Sequence, residues 1–172
     1  AAACVLVALG LSLLIGFING WIVVKTGIPS FLVTLGTFFM LQGINIALTQ
    51  TITNQVSSPD ISTLDGFNSA QKVFSATWTV GGVNIRTSIF YWIVFVIIAT
   101  WILLRTRIGN WIFAAGGNPV SARAVGVPVA RVKIGLFMAV GFMAWFTGMH
   151  VLFQNNTVQS GIGLGNEFIY IV

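Results

Sequence analysis

The chain has 172 residues, 56% of them hydrophobic and only 6% charged, with a mean hydropathy of +0.95, where a soluble domain carries about 25% charge. Eight Lys/Arg and three Asp/Glu cannot clothe a water-facing surface, which excludes a free-standing soluble domain and leaves an integral membrane protein whose lipid-facing helices need no polar cover. The net charge of +5 does not indicate nucleic acid, because the basic residues stand at the ends of apolar runs and not along a polar stripe.

The first apolar run, Ala1 to Val24, is closed by Lys25 and predicts a span over 2–24. Gly16 and Gly20 lie four apart in it. That spacing lets a second helix approach closely, although glycine is common in such helices in any case. Gly27 stops the segment and Pro29 opens the next, the usual punctuation of a helix end and a helix start. The second span is expected over 29–49. It carries Thr34, Thr37, Gln42 and Asn45, and the first span carries Asn19. Thr34, Thr37 and Leu41 fall on one stripe that Asn45 continues. With Asn19, these residues either line a path for a hydroxylated solute or bond between helices, and both readings stand.

Residues 50–86 are rich in Ser, Thr, Asn and Gln and predict a loop with little regular structure. The exception is a hairpin: Thr77 to Val80 and Val83 to Ile85 flank Gly81-Gly82, a two-residue turn signal. Trp78 is expected to anchor that hairpin at the membrane interface, and Trp92, Trp101, Trp111 and Trp145 read as an aromatic belt. The third span is expected over 87–104, closed by Arg105 and Arg107. The fourth, over 131–153, holds the only histidine, His150, which serves either a pore or a packing role at the interface. Gly161, Gly163 and Gly165 read as a loop before a fifth helix beginning near Glu167. Both ends of the chain read as cut, so a fragment of a longer protein is expected.

The fold class is therefore an all-α membrane protein, a bundle of about four transmembrane helices plus the start of a fifth. If all four spans cross, Lys25, Arg105, Arg107, Arg123, Arg131 and Lys133 share one side, against Lys72 and Arg86 on the other. The six-to-two split makes the first side cytoplasmic. One His, one Cys and three acids form no metal-ligand cluster, and there is no GxxxxGK[ST] phosphate loop. No cofactor, metal or catalytic residue is expected on this chain.

The most informative segment is the cytoplasmic loop 105–130. Asn118 is suited to cap a helix that Pro119 opens, Ser121 to Val125 supply about two turns, and Gly126 ends it ahead of Pro128. A helix this short is not stable alone. It rests either against something packed on it or on lipid headgroups, with Arg123 and Arg131 assisting.

Gly116-Gly117-Asn118, then Ala122-Arg123-Ala124-Val125-Gly126-Val127 and Arg131-Val132-Lys133-Ile134, closely resemble the cytoplasmic loop of permease subunits of ATP-binding-cassette importers of the ribose/xylose sugar type. Asn19-Gly20, Lys25 to Gly27, Pro29 to Phe31 and Thr34-Leu35-Gly36-Thr37 resemble two consecutive spans of the same family. The resemblance implies that 118–127 is a coupling helix docking on a separate ATPase subunit, with Gly116, Gly117, Asn118, Ala122, Arg123, Gly126 and Val127 as coupling residues. It implies ATP hydrolysis on that separate subunit, a second permease copy, an extracytoplasmic solute-binding protein as a further partner, and residence in the bacterial cytoplasmic membrane. The implied function is alternating-access import of a monosaccharide or related polyol. A branched-chain amino acid importer permease and an ion-coupled secondary transporter are the competing readings. The latter usually carries a mid-span charge.

Overall fold

A computed structural model describes residues 2–54, 67–80 and 83–157. In chain order it contains α1 (Ala2–Thr26), α2 (Ser30–Thr53), α3 (Phe67–Phe74), β1 (Thr77–Val80), β2 (Val83–Arg86), α4 (Thr87–Arg105), α5 (Arg107–Gly117), α6 (Pro119–Ala124) and α7 (Val129–Asn155). Four of these, α1, α2, α4 and α7, are long and apolar enough to cross a membrane. The segment with Gly161, Gly163, Gly165 and Glu167, where a fifth helix is expected, lies outside the described residues.

Glycine and proline punctuate the spans as the sequence suggests. Gly27 takes φ +69° and Gly126 φ +83°, left-handed conformations that favour glycine at a helix end. Pro29 and Pro128 then sit at the N-cap positions of α2 and α7.

The most extensive contact between helices among the described residues is an antiparallel seam between α1 and α7. Ser12 Oγ donates to the Gly141 carbonyl at 2.6 Å. A Cβ added at Gly16 would sit 2.6 Å from the Phe137 carbonyl oxygen, and one at Gly20 would sit 2.9 Å from the Ile134 Cα. The Gly16/Gly20 pair is thus used for close backbone approach, which is how helices associate where hydrophobicity supplies no drive. Gly141 answers from the other side, its own added Cβ meeting the Ser12 carbonyl oxygen at 2.6 Å. Trp145 Nε1 donates to the Val5 carbonyl at 3.1 Å and closes the seam one turn further on. Trp145 therefore belongs to the helix interface and not to the aromatic belt expected for it, because its indole N–H finds a backbone acceptor inside the bundle.

At the end of the bundle that carries the hairpin, β1 and β2 pair antiparallel with Thr77 opposite Arg86 and Val80 opposite Val83, as Gly81-Gly82 predicts. The side chain of Trp78 lies outside the described residues. Helix α3 corrects the expectation of an irregular 50–86 segment. Phe67, Ala70, Gln71 and Phe74 fall at helical spacing, and the helix sets that face against α7. Phe67 and Phe74 meet Phe153 with centroids 5.3 and 5.5 Å apart. Phe146 lies at the centre of this packing, with Phe74, Tyr91, Trp92 and Phe95 around it. In this way α4 reaches α7 through rings and not through backbone approach. The hairpin closes where Thr87 N and Oγ1 both donate to the Ala76 carbonyl, at 2.9 and 2.7 Å.

At the opposite, basic end, residues 107–117 are helical, which corrects the expectation that the loop 105–130 holds helix only from Asn118 onward. Thr106 caps α5 by accepting from Gly109 N at 3.3 Å. Gly109 is pressed onto the Leu103 carbonyl, where any Cβ would overlap it, so α4 and α5 meet at a sharp corner that only glycine permits.

Candidate functional site

Helix α6 is built as the sequence suggests, residue by residue. Asn118 Oδ1 accepts from Val120 N at 3.0 Å and from Ser121 N at 3.1 Å, satisfying two of the N–H groups a helix start leaves open. Pro119, which has no N–H to satisfy, occupies the first turn. At the other end Gly126 N donates to the Arg123 carbonyl and Val127 N to the Ala122 carbonyl, both at 3.0 Å. With Gly126 left-handed, this is the paired-bond stop that ends many helices.

The short helix is held by its own chain. Ala122 is 3% exposed and packs with Ala115, Val129 and Val132, bordered by Ile112, Ala114 and Val127. Small residues at 115 and 122 bring α5 and α6 together over the start of α7. The seven residues singled out in this segment therefore divide. Ala122 and Val127 face the chain's own core, where they fix the helix in place. Gly116, Gly117, Asn118, Arg123 and Gly126 are exposed. Beside them stand Val120 and Val125, 74% and 78% exposed, and Phe113. Val120, Val125 and Phe113 are not among the coupling residues that the resemblance implies. Their signal was present in two valines outside the buried Ala122 position of a capped helix. The result is a rigid, mostly apolar knob with one cation, Arg123, projecting from the basic end.

The polar residues of the spans differ in their surroundings. Thr34 Oγ1 donates to the carbonyls of Ser30 and Phe31, at 3.0 and 3.1 Å. Thr37 Oγ1 donates to those of Val33 and Thr34, at 3.1 and 3.0 Å. Both threonines thus satisfy themselves on their own helix. Asn45 continues their stripe along α2. Asn19 stands apart: it is 9% exposed, and its Oδ1 is buried without a hydrogen-bond partner among the described residues. A buried amide oxygen left unpaired costs about 1–3 kcal/mol. One turn along α1, Val23 lines a cavity of about 320 Å³ with Gly27, Ile28, Pro29, Ser30, Lys133, Leu136 and Phe137.

His150 is placed by packing. Its Nδ1 lies 2.6 Å from the Phe74 carbonyl oxygen. A carbonyl only accepts, so the proton sits on Nδ1. No group of three or more His, Cys, Asp or Glu able to hold a metal occurs among the described residues.

Comparison with known proteins gives a consistent picture. The chain is 37% identical to the xylose/arabinose import permease protein of Sulfolobus acidocaldarius over 145 residues, covering 84% of this chain and 36% of the relative. It is 30% identical to the ribose import permease protein of Escherichia coli over 169 residues, covering 97% of this chain and 49% of the relative. The fructose import permease protein of Rhizobium meliloti is 28% identical over 94% of this chain and 44% of its own length. The chain therefore spans about half the length, or less, of the curated relatives it matches. No solved structure gives a significant match. The family model for the permease component of the branched-chain amino acid transport system matches residues 1–172. Four spanning helices, a capped connecting helix and a match over the whole sequence agree: this chain is a multi-pass permease component of the cytoplasmic membrane and belongs to that transport-system permease family.

Proposed function

We propose that the protein to which this chain belongs is the transmembrane permease of an ATP-binding-cassette importer that carries a monosaccharide or related polyol inward by alternating access. The observation that carries this reading is α6: a short helix, capped at both ends and packed through Ala122 onto the start of a spanning helix, with Val120, Val125 and Arg123 turned outward. Such a knob is suited to seat in a groove of a separate ATPase and pass its motion to α7. With six basic residues against two, the knob faces the cytoplasm and the hairpin faces outward, where a solute-binding protein would dock. A second permease copy completes the transporter. Asn19, with its unpaired amide oxygen, is the residue of the polar set best suited to meet a solute hydroxyl. Thr34, Thr37 and Asn45 on α2 are the further residues of this proposed path.

The family's description names branched-chain amino acids, while the relatives described above are named for xylose, arabinose, ribose and fructose. The full-length protein co-purified with its ATPase and supplied with binding protein should hydrolyse ATP faster with a pentose or hexose than with leucine. Stimulation by leucine alone would replace the sugar reading. Gly117→Glu or Arg123→Glu places an acid on the exposed face of the knob. Either should abolish most uptake while leaving the spans folded, and full coupled uptake in both variants would sink the coupling role.

A further inference from the structure

Helix α3 and the hairpin are fastened to α7, a helix that begins 55 residues after α3 ends. Phe74 is the last residue of α3, so its carbonyl is one that the helix itself leaves open. His150 Nδ1 donates to it at 2.6 Å. The Phe74 ring stacks on Phe153, with centroids 5.5 Å apart and planes 9° from parallel. Gln71 Nε2 donates to the Phe153 carbonyl at 3.3 Å. From the hairpin's last residue, the Arg86 guanidinium reaches the Gln154 amide oxygen at 2.5 and 3.0 Å once that amide is turned to present it.

The same helix holds α6 at its other end. Val129 and Val132 are 2% and 9% exposed and pack on Ala122. Between the two ends α7 runs 27 residues, about 40 Å at the helical rise. It contains no proline after Pro128, and the α1 seam braces its middle. A continuous helix clamped to a small element at each end transmits rotation and tilt with little loss. A kink would need proline or a break in its hydrogen bonds.

We propose that α7 is a strut joining the hairpin-end cap, α3 with β1 and β2, to the α6 knob, and that the His150–Phe74 bond is its latch. His150 is then a positioning residue: it touches no solute, and it makes binding at the cap register at the ATPase. This rests on the importer reading above and adds to it a route for the signal.

The test uses the full-length permease with its ATPase in lipid nanodiscs. ATP hydrolysis is measured with and without sugar-loaded binding protein for wild type, His150→Leu and His150→Gln. Leucine removes the donor, whereas glutamine keeps an N–H able to reach the carbonyl. His150→Leu should hydrolyse ATP at the wild-type basal rate and lose stimulation at least about five-fold, the lower end of ordinary coupling between sites, and His150→Gln should recover it. Stimulation of His150→Leu at the wild-type level overturns the strut, as does a glutamine variant no better than leucine. If His150→Leu fails to assemble, Gln71→Ala carries the test: lowered stimulation at an unchanged basal rate supports the strut, and wild-type stimulation overturns it. A wild-type complex that the binding protein does not stimulate sinks the importer reading itself, a result distinct from the loss of the strut alone.

Discussion

Helices α1 and α2 are neighbours in sequence with similarly apolar composition, yet they are used in opposite ways. Helix α1 lies against α7 along four turns, with Ser12, Gly16 and Gly20 giving the two backbones room to meet. Helix α2 buries none of its residues among the described ones. Its glycines, Gly36 and Gly43, have open space where a Cβ would go, and Thr34 and Thr37 bond to their own helix. The difference shows that apolarity places a helix in the membrane, while small residues at helical spacing decide what it packs against.

The largest test of this contrast exchanges matched glycines. Gly16→Leu should destabilise the full-length protein by about 3 kcal/mol or more, because the obstructing atoms are backbone and cannot step aside. Gly36→Leu should leave stability near that of wild type. Unfolding in mixed micelles with increasing SDS, followed by tryptophan fluorescence, reads both, and equal losses would erase the distinction between the two helices. A smaller effect separates the hydroxyls. Ser12→Ala removes a bond between helices and should cost about 0.6 kcal/mol, whereas Thr37→Val removes one within a helix and should stay within about 0.5 kcal/mol of wild type. A loss for Thr37→Val larger than for Ser12→Ala would reverse the assignment. At Asn19 the effect is expected to change sign. Asn19→Leu removes an unpaired buried oxygen and should be neutral or stabilising by about 1 kcal/mol, while sugar uptake falls. Uptake at the wild-type rate with that variant would take Asn19 out of the solute path.

Much of this architecture is legible in the sequence because it is punctuated. Gly27 before Pro29, Asn118 before Pro119 and Gly126 before Pro128 each impose a backbone state that few neighbours could override. Helix α3 is harder to see. Its Asn, Ser, Gln and Lys resemble a loop, although Phe67, Ala70, Gln71 and Phe74 recur at helical spacing and would have disclosed a packed face. Helix α5 is hidden by its three glycines, one of which exists to let α4 pass. The partners of Trp145 and His150 were not readable at all. In a soluble helix the buried side announces itself by contrast with a polar side. In these spans lipid-facing and protein-facing surfaces are equally apolar, so only three-dimensional proximity shows that Trp145 meets Val5 and His150 meets Phe74. The site divides in the same way: the caps of α6 were legible, while the outward valines and the inward Ala122 needed the structure to tell them apart.

The Ser12–Gly141 bond joins residues 129 positions apart, and that separation sets an order of events during synthesis. At an elongation rate of about 5–20 residues per second, roughly 6–26 s pass between the emergence of the two partners. Throughout that interval α1 is in the bilayer with its glycine groove empty, and the spans between must thread past before α7 arrives to fill it. Within this chain the seam therefore closes only after α7 has been made. Until then, the groove lacks its α7 partner and stays open to a lipid, a chaperone or the wrong helix.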